Sequence, residues 1–259
     1  MSRARGLPAN PFIEEGARIY FSHRAILGTY ALLLAVLGGL LLFSWPRGTV
    51  AASLPPSAGP RTLAVVSVGL FIAMAWLSAR YGAEDYSSAS FIRMTDYVTL
   101  TPARLASVIG GKLSFALLHT LFLLALGSPF LLASLGVSAV PPGTVIRILL
   151  VIGSSAMACR ALGLFLLTVL GGHTLVRDLA MLATGLAAIP ASMAAFPPAN
   201  PVSAILSLTA ATDLPPTVGV FGAALPFWLF SVIMSLLAAA VFASAAAVRL
   251  AVARGRQEG

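Results

Sequence analysis

Six stretches of the chain are continuously apolar: Ala25 to Trp45, Thr62 to Ala79, Leu113 to Val137, Thr144 to Leu170, Leu179 to Phe196 and Val220 to Val248. Each meets the length a helix needs to cross a bilayer, roughly 17 to 25 residues. None alternates apolar with polar positions, so the pattern predicts spanning helices rather than the strands of a barrel. The expected fold is an all-α integral membrane protein, a single transmembrane domain over residues 1–259 with six transmembrane helices.

The polar intervals add three elements. Asn10-Pro11 places a proline at a first helical position, and residues 11–23 read as an amphipathic helix. Glu14, Glu15, Arg18 and Ser22 share one face, and Ile13, Ala17, Tyr20 and Phe21 the other. Glu14 and Arg18 are spaced to pair at i,i+4, and the helix is expected along the inner headgroup region. The longest internal stretch that must stay wet runs from Arg80 to Lys112, with four of the sixteen basic residues and three of the eight acids. Thr101-Pro102 breaks its helical pattern, because the residue before a proline is pushed out of the helical region. A second helix is then expected from Pro102 through Gly110-Gly111-Lys112 into span three. Finally, Asn200-Pro201 opens an apolar helix over Val202 to Ala211, too short to cross and expected to be re-entrant or interfacial. Pro215-Pro216 closes that segment, and Pro129, Pro190 and Pro226 are expected to kink or break spans three, five and six.

Composition agrees: 59% of residues are hydrophobic, 9% are charged, and the mean hydropathy is +0.96. Soluble domains carry about a quarter charged residues. The net charge of +8 is read through its distribution. With the N-terminus inside, twelve basic residues fall on the cytoplasmic side, only Arg47, Arg61 and Arg147 fall outside, and Arg160 falls within a span. The positive-inside rule then places both termini in the cytoplasm, in a cell (inner) membrane. The basic residues face anionic membrane lipid, and no aromatic-interleaved basic face suggests nucleic acid. The first apolar run is longer than a signal h-region and lies behind a charged segment, so no cleavable signal is expected. Cys159 is the single cysteine, which excludes a disulfide framework or a thiolate metal site.

Catalytic signatures fail one by one. There is no H-E-x-x-H, no G-x-S-x-G, no G-x-G-x-x-G and no pair of acids inside a span. Gly111-Lys112-Leu113-Ser114 lacks the upstream glycine and the hydroxyl residue of a phosphate loop. Metal ligation is not expected from His23, His119 and His173, which are far apart in sequence. Two ionisable residues fall inside spans. Arg160 is eleven residues from Gly171, roughly 16 Å along a helix, and is expected near the middle of a core about 30 Å thick. His119 is seven residues from Lys112, roughly 10 Å deep. A charge at mid-depth costs at least about 2.5 kcal/mol and faces a cavity or the bundle interior. Arg160 therefore bonds backbone carbonyls or snorkels, or else, with His119, lines a translocation path.

Three segments together resemble the permease subunits of ABC transporters of the type-2 exporter class. "NPFIEEGARIYFSHR" resembles the elbow helix of that family, "DYVTLTPARLASVIGGKL" its loop between spans two and three, and "NPVSAILSL" its short outer helices between spans five and six. The resemblance implies a cytoplasmic coupling helix that docks a separate cytosolic ABC ATPase through Asp96, Tyr97, Leu100, Thr101, Pro102 and Arg104. Glu14, Glu15 and Arg18 of the elbow would help to seat it. It further implies that a second permease copy or paralogue completes the path, and that ATP-Mg binds to the ATPase, so this chain holds no cofactor and is no enzyme. The alternatives are a small integral-membrane enzyme, which needs a polar constellation, and a self-contained carrier, which usually shows a repeat and midplane ion ligands.

Overall fold

In lipid every backbone N–H and C=O must find a partner within the protein, so long apolar runs become helices. The computed structural model describes residues 13, 20–21, 24–46, 58–83, 105–138, 140–170, 174–209, 217–220 and 222–258. Its helices are α1 (Arg24–Ser44), α2 (Ala58–Ala83), α3 (Leu105–Gly136), α4 (Gly143–Leu170), α5 (Thr174–Ala195), α6 (Pro201–Leu208) and α7 (Phe227–Glu258). Five of them, α1 to α4 and α7, are long and apolar enough to cross a membrane, which makes the chain a multi-pass helical membrane protein. The fifth expected span is helical as α5, a 22-residue segment containing Pro190.

Most helices overrun the apolar windows that announce them, because a helix continues through boundary residues until something stops it. Thus α2 begins four residues before Thr62, and α3 is unbroken from Leu105 through Gly110-Gly111-Lys112 into the apolar run. Pro129 lies inside α3 without ending it. Proline there leaves the carbonyl four residues earlier without its helical donor. Ser128 Oγ donates to that carbonyl, Ala125 O, at 2.9 Å. The helix start expected at Asn200 is present in detail: its Oδ1 accepts from Val202 N at 2.8 Å and Ser203 N at 3.2 Å, and Pro201 is the first helical residue. The described helix ends at Leu208, short of the expected Ala211.

The sixth span requires a correction. Its apolar run predicts a helix from Val220, but Thr217–Val220 and Ala223–Pro226 form a two-stranded antiparallel hairpin, and the helix starts at Phe227. Gly222, with φ +83°, turns the hairpin in the left-handed region that glycine reaches without a Cβ clash. A short apolar run does not by itself distinguish strand from helix.

The centre of the bundle is α2 packed on α4. Of their most apolar windows 56% is buried within the chain, against 22% for α1 and 17% for α7. Contact is backbone to backbone at one end of the pair. A Cβ on Gly82 would strike the Arg160 carbonyl, and one on Gly163 would strike the Ala79 carbonyl and approach Ala83 N to 2.9 Å. Small residues at such crossings let helices in lipid approach closely, where dispersion rather than the hydrophobic effect holds them. Around this pair, Leu37 of α1, Leu70 and Met74 of α2, Leu123 of α3 and Ile148 and Ile152 of α4 form the main core. α7 lies along α4, where Ser155 Oγ and Ser235 Oγ are 3.2 Å apart. A second cluster joins Val108 and Ile109 of α3, Leu164 and Leu167 of α4, and Ala246 and Leu250 of α7, beyond the end of α2.

Gly163→Ala and Gly82→Ala are expected to cost about 1–3 kcal/mol each through overpacking against backbone that cannot yield. Gly39→Ala, where a Cβ meets nothing within 4 Å, should be neutral or stabilising by up to about 1 kcal/mol. Thermal unfolding in one detergent tests the contrast, and equal behaviour of the three variants would refute the close-packing account.

Candidate functional site

The polar side chains with the fewest alternatives to bonding each other converge beside the α2–α4 contact. Arg160 and His119, expected inside separate spans, meet: Arg160 NH1 is 3.4 Å from His119 Nδ1. Both are buried, at 7% and 1% exposure. His119 Nε2 lies 2.7 Å from Tyr30 Oη, and Tyr30 Oη donates to the Tyr20 carbonyl at 3.2 Å. Tyr20 Oη donates to the Tyr81 carbonyl at 3.4 Å.

Donor arithmetic gives this chain a direction. A guanidinium only donates, so His119 Nδ1 accepts and the proton of the neutral ring sits on Nε2, where it is donated to Tyr30. Tyr30 then spends its own proton on the Tyr20 carbonyl. The order is therefore Arg160 to His119 to Tyr30 to Tyr20, and reversing the His119–Tyr30 link would put the ring proton on Nδ1, a donor facing the guanidinium.

Arg160 was expected to bond backbone carbonyls, to snorkel or to line a path with His119, and the hydrogen bond found among the described residues is to His119. Among the described residues no carboxylate lies within ion-pair distance of the guanidinium, and Asp178, the one acid whose side chain is described, is exposed. Its charge is covered by ring faces, with Cζ 5.3 Å from the Tyr20 centroid and 5.7 Å from that of Tyr81. Cation–π contacts of this kind reach about 2 kcal/mol when desolvated. Tyr20 also packs edge-on to Tyr81 at 4.9 Å and tilted against Phe115 at 5.1 Å, while Phe122 lies 5.4 Å from Tyr30.

The Arg160 carbonyl touches the position of Gly82, next to last in α2. The residue is level with the end of α2 and with the N-terminal segment carrying Tyr20. α4 continues ten residues past it to Leu170, about 15 Å. Pattern reading missed Tyr20, Tyr30 and Tyr81 as members of the site. A tyrosine near a membrane boundary reads as an interfacial anchor, and only the packing shows Tyr20 and Tyr81 over the Arg160 charge and Tyr30 bonded to His119.

At the opposite end, Asn200 is fully buried and its Nδ2 donates to Ser192 Oγ at 2.8 Å, tying α6 to α5. Arg147 Cζ lies 5.8 Å from the Trp228 ring centroid at the start of α7. Asp96, Tyr97, Leu100, Thr101, Pro102 and Arg104, and Glu14, Glu15 and Arg18, lie outside the described residues. Among the described residues no three His, Cys, Asp or Glu side chains group as metal ligands. No protein-family model, curated protein or solved structure matches the chain.

Tyr30→Phe keeps the ring but leaves the buried Nε2–H of His119 without its acceptor, and should cost about 1–3 kcal/mol. Arg160→Leu should cost less, because the charge whose burial is expensive leaves with the guanidinium. Thermal midpoints of the two variants in the same micelle test this order, and a larger loss for Arg160→Leu would show that its charge has a strong partner.

Proposed function

We propose that the chain is the permease subunit of an ATP-driven ABC exporter of the type-2 class, working with a separate cytosolic ATPase and a second permease copy. The observation that carries the reading is the short helix α6, capped by Asn200 and led by Pro201, lying between α5 and the hairpin that leads into the last apolar helix. It occupies the place in chain order where the resemblance calls for outer helices. Tyr20 and Phe21 are helical and Tyr20 packs against Tyr81 near the end of α2 and against Phe115 of α3, which suits a helix seated at the inner surface.

On this reading α5 is the fifth of six spans, the Tyr20 end of the bundle faces the cytoplasm of a cell (inner) membrane, and α6 with the hairpin faces outward. The weak burial of α1 and α7 leaves apolar faces for lipid and for the second copy. The loop between α2 and α3 receives the ATPase. An apolar helix face with flanking charges suits insertion into a groove of the partner, with Leu100 and Pro102 as its apolar contacts and Asp96 and Arg104 as its charges.

Two measurements test the proposal. Affinity purification of the full chain from its native membrane should bring down a protein with a Walker A motif and an ABC signature. In proteoliposomes holding both subunits, Arg104→Glu, or alanine at Leu100, Thr101 and Pro102, should reduce permease-dependent ATP hydrolysis by at least about tenfold, since a like-charge contact costs several kcal/mol. Thermal unfolding of the permease should not move. A chain that purifies alone and shows ATP-independent activity, or unchanged coupling in both variants, contradicts the proposal.

A further inference from the structure

Arg147 is set in the membrane in the opposite way to Arg160. It lies on α4 four residues after Gly143, about 6 Å along the axis, at the end of the bundle that carries α6 and the start of α7. The side chain is exposed, and among the described residues it has no hydrogen bond and no ion pair. It does meet Trp228, whose ring centroid is 5.8 Å from Cζ. A ring attracts the guanidinium electrostatically, but the five N–H donors still need lone pairs from outside the chain. The 28 residues of α4 span about 42 Å, against an apolar core of about 30 Å. Centred on that core, the helix projects roughly 6 Å at each end, which puts Arg147 where hydrocarbon gives way to headgroups.

The surface beside this cation is apolar and uncovered. Ile146 is 63% exposed and Leu150 49%. Positions 147, 150, 154, 157 and 161 follow one another at intervals of three and four, so they share one face of α4. Past Leu150 that face is closed. Ser154 is 8% exposed, Thr120 Oγ1 of α3 lies 3.8 Å from Met157 Sδ, and Ala161 is fully buried. Further on, α3, α4 and α7 join in the cluster of Val108, Ile109, Leu164, Leu167, Ala246 and Leu250. The open part is therefore a short apolar strip headed by one cation. On α7 it is bordered by Trp228 and, one turn on, by the half-buried Val232.

We propose that this strip seats one phospholipid, with its phosphate held by the Arg147 guanidinium beside Trp228 and an acyl chain lying along Ile146 and Leu150. Charge complementarity selects the occupant. The planar fork of an arginine matches phosphate oxygens in pairs, and at the boundary of the headgroup layer a lipid phosphate is the acceptor within reach of a side chain that extends toward water. An apolar face of a second copy fits less well, because it would cover the guanidinium without supplying an acceptor. The site needs only that α4 and α7 cross a membrane, and so stands apart from the ATPase-coupled reading.

Native mass spectrometry of the full chain, purified in detergent and titrated with phosphatidylglycerol, tests it. Arg147→Gln should weaken binding of the first lipid by about tenfold or more, the scale of a lost charge-assisted hydrogen-bonded pair, and Trp228→Leu should weaken it less. Arg61→Gln removes another exposed cation, near the start of α2 at the same end, and should bind as the parent does. Diacylglycerol of the same chains should bind weakly and equally to the parent and Arg147→Gln, and glycerol phosphate should not bind measurably. Added phosphatidylglycerol should raise the thermal midpoint of the parent but not of Arg147→Gln, while without lipid the two should unfold together. Equal lipid binding by the parent and Arg147→Gln, an equal loss in Arg61→Gln, or diacylglycerol or glycerol phosphate binding as tightly as the phospholipid would each overturn the proposal. So would an Arg147→Gln midpoint that is lowered without lipid and still rises with it, which would make the Arg147–Trp228 contact structural only.

Discussion

The contact on which the rest of the bundle depends is the backbone approach of α2 to α4 at Gly82 and Gly163. Each glycine sits where a Cβ would overlap a carbonyl of the other helix, so the helices meet with no side-chain layer between them. In lipid there is little hydrophobic drive for one helix to find another, and close dispersion contact has to supply the attraction. The distance set there fixes where Tyr81 and Arg160 stand, and therefore where the polar chain from α1 and α3 can attach.

A buried arginine with no carboxylate beside it among the described residues is an expensive feature, because desolvation exceeds what one neutral hydrogen bond returns. Here the ring faces of Tyr20 and Tyr81 stand where water would otherwise be. They are contributed by elements far apart in the chain, so the charge is comfortable only once the N-terminal segment and α2 are both in place. Arg160 thus acts as a check on assembly as much as a bond: a bundle lacking the N-terminal segment would hold the same charge with one ring and one histidine. This coupling links a local cost at one side chain to the order of the whole Tyr20 end.

The helical character of the membrane-spanning segments was legible because an unbroken apolar run of that length satisfies its backbone in lipid only as a helix. The Asn200 cap was legible because Asn-Pro before an apolar run has one dominant local geometry. The hairpin before α7 was not legible. Val218, Val220, Ala224 and Leu225 are apolar whether paired as strands or wound into a helix, and only Gly222 and Pro226 mark the difference. Boundaries drifted for a related reason, since hydropathy reports where water is excluded and a helix ends where its backbone is capped. For the site, Arg160 and His119 stood out as ionisable groups within apolar runs, and they do meet. Their three tyrosine partners did not stand out, because nothing in a one-dimensional pattern separates an interfacial tyrosine from one turned inward over a cation.

The two ends of the bundle are built from different kinds of contact. At the Thr62 end, a 2.6 Å hydrogen bond and backbone packing at Gly59 join α2 to its neighbours. At the Tyr20 end, aromatic rings around Arg160 and His119 join the N-terminal segment, α1 and α3 to α2 and α4, and beyond the end of α2 the apolar cluster of Val108, Ile109, Leu164 and Leu167 continues the contact of α3 with α4. Ser134, Ser154 and Ser155 donate to carbonyls of their own turns, so these hydroxyls need no neighbouring helix to be satisfied. A guanidinium or an imidazole in a helix has no such local outlet, and it is these groups that set which helices must meet.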